Sequence, residues 1–379
     1  MKAKLMENER AGGKRFDVDL FVVILCLVIL SAYGCIFVYS ASLYTAEKVY
    51  DDRFYFLKKQ IIGYAVGVLV FFAVWFIKPH MLKKVAFPAC CVTAVLLFLV
   101  LTPLGVEVYG AKRWIGLGAF TVQPSDFAKL ALVLFSAVYF SDDLQRAQTL
   151  RGGLPVICIG AVFCLLVIAE PNMSITVCLA AVLAIMLFAS GFPIKKLVLF
   201  ALPLLLALPV LIIAEPYRLK RLYAFLDPWS SPKAEGYQLI QSLYALGSGG
   251  LFGVGLFNSR QKLRFLPFAE SDFILSVIGE ETGFFGVVLL LGVCIVLAVA
   301  VVRLGKRKGD FFTYLLSVGV AAVFLVQIAI NALVVTGSIP PTGVPFPLVS
   351  SGNTQIVTFA VSFGLICSLS RKRKPAVLT

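Results

Sequence analysis

Ionisable side chains are scarce in this chain, and where they stand sets the chemistry it could do. Within long apolar runs lie Asp126, Lys129, Glu170, Glu280 and Glu281. Charges in such surroundings are costly and are usually functional or paired. Asp126 and Lys129 are three residues apart, so on a helix they can pair with each other. Adjacent Glu280 and Glu281 are separated by about 100° on a helix and must face different surroundings. Asp272 stands where a long polar segment enters an apolar run. It can cap the helix there, or line a cavity, or do both. Three further polar clusters are Lys112-Arg113-Trp114, Gln123-Pro124-Ser125, and the Pro-rich stretch 340–347 with Ser350-Ser351-Gly352-Asn353-Thr354. Arg260, Lys262 and Arg264 follow a glycine-rich stretch, and Tyr237-Gln238 and Gln241-Ser242 precede it.

The elements that must position these groups are helices in a membrane. The 379 residues are 60% hydrophobic and only 14% charged, against about 25% charged in soluble domains. That excludes an ordinary soluble enzyme and a disordered chain. Ten runs approach the ~20 apolar residues that a span needs: roughly 20–42, 60–77, 85–103, 126–141, 154–170, 174–191, 197–214, 273–302, 312–335 and 350–370. The first is longer than a signal-peptide core and lacks a clear cleavage site after it. The expected architecture is an all-α integral membrane protein: a cytoplasmic tail 1–19, one polytopic domain 20–370 and a basic cytoplasmic tail 371–379. A long extracytoplasmic loop, 215–272, joins the seventh and eighth spans, and within it 236–246 could form an amphipathic helix on the bilayer surface.

The net charge of +14 is a topology signal. With both termini inside, 20 of the 34 Lys and Arg fall on cytoplasmic segments and 13 on the other side, 7 of them in the long loop. Long loops count weakly in the positive-inside rule, so the N-in, C-in arrangement is favoured and a nucleic-acid partner is not. The three polar clusters and Asp272 then share the extracytoplasmic side. The nine cysteines form no C-x-x-C pair and read as small hydrophobes. His80 is the sole histidine and reads as a loop residue, which leaves no metal framework.

At these residues the sequence resembles the SEDS family of bacterial cell-wall proteins. The matching stretches are Val38-Tyr39-Ser40-Ala41-Ser42, Gly110-Ala111-Lys112-Arg113-Trp114, Gln123-Pro124-Ser125 with Lys129, Glu170-Pro171-Asn172 and Phe225-Leu226-Asp227-Pro228. They continue with Gly236-Tyr237-Gln238, Gly249-Gly250-Leu251-Phe252-Gly253, Asn258-Ser259-Arg260-Gln261-Lys262, Asp272-Phe273-Ile274 with Gly279-Glu280-Glu281, and Thr342-Gly343-Val344-Pro345. The first stretch looks more like the FtsW and SpoVE branch than RodA. Two departures stand out. Phe268 and Glu270 occupy positions where the family usually has Glu and His, and Ser351-Gly352-Asn353-Thr354 replaces its Tyr-Gly-Gly-Ser.

The resemblance implies a peptidoglycan glycosyltransferase of the bacterial cytoplasmic membrane that polymerises lipid II and works with a class B penicillin-binding transpeptidase. It implies that Asp272 matches an essential aspartate, that Arg113 and Trp114 belong to a polar loop, and that Lys129 is a sensitive lysine. Asp272 would be the catalytic base. The candidate substrate-binding residues are Lys112, Arg113, Trp114, Lys129, Gln238, Arg260, Lys262, Glu280 and Glu281. Lys112, Arg113, Arg260 and Lys262 could offset the charge of a diphosphate leaving group, with or without a divalent cation. Two other readings stay open: a lipid II flippase working through Lys129, Glu280 and Glu281, and a scaffold that recruits a transpeptidase.

Overall fold

In the computed structural model, the described residues are 17–370 apart from 109–110, 119, 200–205, 207–208, 210–212, 214, 264 and 308–309. The expected seventh span, 197–214, lies largely outside them, as do most of the N-terminal tail, the C-terminal tail and Arg264. The chain runs α1 (Val18–Tyr50), α2 (Tyr55–Trp75), α3 (Pro79–Leu101), β1 (Gly105–Val108), β2 (Ala111–Leu117), β3 (Phe120–Val122), α4 (Pro124–Asp142), α5 (Leu150–Ala169) and α6 (Met173–Ala189). It continues with α7 (Pro216–Leu226), α8 (Tyr237–Gly249), α9 (Ile274–Arg307), α10 (Phe311–Val335) and α11 (Asn353–Ser370).

Among the described residues, six helices, within α1, α2, α3, α5, α9 and α10, are long and apolar enough to cross a membrane, and α6 and α11 are shorter apolar helices. Helix α4 carries its charges because it is the inner helix of the bundle. Most of its residues are buried, Asp126 and Lys129 among them, so its polar groups face protein and not lipid. Exposed large apolar side chains crowd the outward faces of α1, α2 and α3, as expected of surfaces that meet lipid.

The departure from an all-helical chain is a three-stranded antiparallel sheet, β1-β2-β3, where a loop was expected. Its register pairs Val106 with Trp114 and Glu107 with Lys112. Arg113 is therefore the extra residue of a bulge, a device that re-aims side chains beside functional sites.

Side-chain contacts sort the helix ends into two groups. At one end Arg307 pairs with Asp17 and Asp19, Lys83 pairs with Asp142, and Ser368 bonds the Ile77 carbonyl. At the other, Arg113 reaches Pro171, Thr354 reaches Thr121, and Arg221 reaches Pro341. This partition has the alternation that the sequence-based topology requires. The amphipathic segment 236–246 is helical, as α8, but it packs on α9. Ser242 bonds Ser276 at 2.8 Å and the Val335 carbonyl at 2.7 Å.

Candidate active site

The residues before α9 cannot begin the helix early, because Pro267 and the positive φ of Phe268 (55°) break it. What remains is a turn whose backbone is held from outside. Three consecutive carbonyls are each engaged by the α10–α11 region. Glu270 O accepts from Ser351 N at 2.9 Å, Ser271 O from Ser350 Oγ at 2.6 Å, and Asp272 O from Asn331 Nδ2 at 2.8 Å. The second amide proton of Asn331 goes to Val344 O at 2.7 Å. A single side chain of α10, 1% exposed, thus ties the Asp272 backbone to the Pro-rich strap of residues 340–347. Ser350 Oγ also accepts from Phe346 N at 2.8 Å. Gln238 of α8 donates to Pro267 O at 3.3 Å, bracing the same turn.

The Asp272 side chain is left out of this bonding. It is half-buried, and among the described residues its carboxylate accepts no hydrogen bond, so helix capping does not account for it. It faces the strap at Gly343. A methyl group there would lie 3.3 Å from Asp272 Oδ2 and 4.0 Å from Arg113 Nη1. Arg113 is anchored in turn, its Nη2 donating to Pro171 O at 2.6 Å in the turn between α5 and α6. Burial pushes the Asp272 carboxyl up from 3.8. Arg113 and Arg221 pull it back and Glu270 adds to the rise, and the balance is about 7. Burial also raises Glu270. Such a group is half-charged near neutrality and suits proton transfer.

The other expected site residues lie in three places. Lys112 and Trp114 flank Arg113 on β2, half-buried. Lys129 is buried and paired with Asp126 at 2.7 Å, lining a small cavity with Gln355, Thr358 and Ser362. Lys262, Glu280 and Glu281 form a separate constellation where α9 breaks at Gly283 (φ 68°, ψ −168°). There the glycine-rich segment 250–255 inserts and supplies the backbone partners. Val254 N bonds Glu280 O, Gly255 N bonds Glu281 O, and Phe284 N bonds Gly250 O.

Lys262 Nζ bonds Glu281 Oε1 at 2.8 Å and Ser40 Oγ at 2.9 Å, with the lysine 5% and the glutamate 0% exposed at the side chain. Glu280 accepts from Ser259 Oγ, Arg260 N at 2.9 Å and Gln261 N at 3.3 Å. The Lys262 ammonium is therefore engaged in an internal pair, and Glu280 and Glu281 hold a loop. Arg260 engages this constellation through its backbone, with its side chain exposed. The charges on which a transport pathway would rest, Lys129, Glu280 and Glu281, are all committed to neighbours.

Sequence reasoning missed Arg221, Asn331 and Glu270 as members of the site. Asn331 had a readable signal, a lone amide inside an apolar run. Arg221 had only its place in a short basic segment. Among the described residues no group of three His, Cys, Asp or Glu could hold a metal ion. Asp272 and Glu270 interact electrostatically, and two carboxylates supply fewer oxygens than a dedicated cation cage uses.

A family model described as a cell cycle protein, FTSW_RODA_SPOVE, matches residues 20–375. The chain is 38% identical to the probable peptidoglycan glycosyltransferase FtsW of Trichlorobacter lovleyi, over 99% of each chain. It is 36% identical to the stage V sporulation protein E of Bacillus subtilis, over 94% of this chain and 98% of that one. Among solved structures it is similar to a chain of an assembly described as "Structural coordination of polymerization and crosslinking by a peptidoglycan synthase complex". The TM-score is 0.76 and the identity 27%, with 92% of this chain and 96% of that one covered. The rod shape determining protein RodA of Thermus thermophilus shares the fold at a TM-score of 0.67 and 24% identity, over 92% and 95% of the two chains.

Proposed function

The chain belongs to the FtsW, RodA and SpoVE family of cell cycle proteins, and on that premise we propose that it is a multi-pass peptidoglycan glycosyltransferase that polymerises lipid II with Asp272 as general base. The sheet-bearing end then faces outward, where the positive-inside count puts it.

The chemistry follows from the geometry. A sugar hydroxyl of one lipid II attacks the anomeric carbon of the growing strand. A carbon–oxygen bond forms there, the bond to the lipid diphosphate breaks, and the hydroxyl proton passes to Asp272. A base must be charged at working pH yet basic enough to take the proton, which a carboxyl titrating near 7 satisfies. The observation that carries this reading is the contrast within one residue. The Asp272 carbonyl is locked by Asn331, while its carboxylate accepts no hydrogen bond among the described residues and faces Arg113 across Gly343. Arg113, held by Pro171, places a guanidinium where negative charge develops on the leaving group. A divalent cation held between substrate phosphates and Asp272 or Glu270 would add to that stabilisation.

The partner that fits is a class B penicillin-binding transpeptidase, in keeping with the polymerisation and crosslinking complex to which the chain is similar. The test is a gel assay of glycan length with purified protein and lipid II, run with and without the transpeptidase. Glycan ladders in either arm are the expected result. Their absence in both, from folded protein, overturns the assignment.

A further inference from the structure

The arginine nearest Asp272 has a counterpart. Arg221, on α7, donates from Nη1 to Pro341 O at 3.1 Å. Arg113, on β2, meets the same strap two residues on, its Nη1 close to Gly343. At most about 7 Å of chain separates those two points. Both side chains are half-buried, and both are steadied by a prolyl carbonyl, Pro171 O for one and Pro341 O for the other. Arg218, one turn before Arg221, adds charge to the same face of α7. Two guanidiniums from distant parts of the chain thus converge on one short strap beside the proposed base.

Resting on the reading of the site above, we propose that Arg113 and Arg221 form a cradle for a diphosphate, the leaving group of a lipid-linked sugar, with the Pro341–Gly343 strap setting their spacing. The ligand class follows from the donors. Guanidinium forks match phosphate oxygens in pairs and hold them through fixed geometry. Two forks that meet one short strap match two linked phosphates better than one. A carboxylate ligand would need only one fork. Partial burial strengthens each interaction over its value in water. Gly343 keeps the space between Asp272 and Arg113 clear, since a side chain there would fill it. The buried Glu170, whose oxygens have no hydrogen-bond partner among the described residues, lies beside Pro171, whose carbonyl holds Arg113.

The test measures binding to the full chain in nanodiscs, with a polyprenyl diphosphate and the matching monophosphate as probes. The wild type is expected to prefer the diphosphate about tenfold or more. Arg221→Gln is expected to lose most of that preference while binding the monophosphate nearly as before. Arg221→Lys should restore it only in part, because an ammonium is a point charge. An Arg221→Gln protein with an unchanged melting temperature and an intact preference overturns the cradle, and so does an equal loss for both probes. If Arg221→Gln does not fold, Arg221→Lys and Arg113→Lys carry the test, and an undiminished preference in both overturns it. Arg221-dependent diphosphate binding by a wild type that does not polymerise lipid II would uphold the cradle and remove the catalytic reading. Polymerisation at wild-type rate by Arg221→Gln would do the reverse.

Discussion

In and just before helix α9 stand acidic residues at two levels, and the chain treats them in opposite ways. Glu280 and Glu281, beside the break at Gly283, accept six hydrogen bonds between them among the described residues, from Ser40, Lys262, Ser259, Arg260 and Gln261. Asp272, two residues before the same helix begins, has its backbone fastened by Asn331 and the carbonyls before it by Ser350 and Ser351, while its carboxylate accepts no hydrogen bond among the described residues. In the first region the protein spends its donors on the carboxylates, leaving only Glu281 Oε2 without a partner among the described residues, and gains a fixed loop. In the second it spends its donors on the main chain and leaves the side chain toward Arg113 and Gly343. An acidic residue in a membrane protein is therefore not by itself a sign of chemistry. The sign is a held backbone under an unheld carboxylate.

The largest effect that sharpens this contrast is on stability. Breaking a buried ion pair by removing one partner leaves an uncompensated charge and costs about 3–5 kcal/mol. Lys262→Met should lower stability by about that amount in thermal or denaturant unfolding. The double variant Lys262→Met/Glu281→Leu should regain most of the loss. If the single variant is as stable as wild type, the latch is not structural.

The next effect falls on the rate. Asn331→Leu removes both bonds that tie Asp272 and Val344 to α10, and misplacing a catalytic group by about 1 Å can cost 10²-fold. A fall of about 10–100-fold in kcat, with KM changed little, is expected of a positioning residue. Ser350→Ala should lose rate as well, and Ser350→Thr, which keeps the hydroxyl, should recover it.

A smaller effect is on pH. With the Asp272 carboxyl near 7, kcat/KM should fall about tenfold per pH unit below that value. Glu270 raises this carboxyl, so Glu270→Gln should move the acid limb to lower pH. The sign for stability is the reverse of that for activity. The folded value lies above the unfolded one of 3.8, so charging Asp272 works against the fold as pH rises from about 4 through about 7. Activity should climb across the window in which this contribution to stability is lost.

The membrane architecture and the pairing of Asp126 with Lys129 were legible in the sequence because both are local, in apolar run length and helical spacing. Asp272 and Arg113 were legible as residues, but their meeting across Gly343 depends on three distant segments. The sheet went unread because 104–125 combines short strands with glycines and polar residues, which carry no strong alternation. The internal pairing of Lys262 went unread because its partners, Ser40 and Glu281, are remote in the chain (222 and 19 residues away). No spacing rule joins them.

The central claim is that the unheld carboxylate does the chemistry and the held ones do not. It is tested most directly by the initial rate of lipid II polymerisation for Asp272→Asn and for Lys262→Met/Glu281→Leu, each confirmed folded by its melting transition. The account predicts a loss of at least about 10²-fold for the first and a rate within a few-fold of wild type for the second. Polymerisation by Asp272→Asn at the wild-type rate would contradict it.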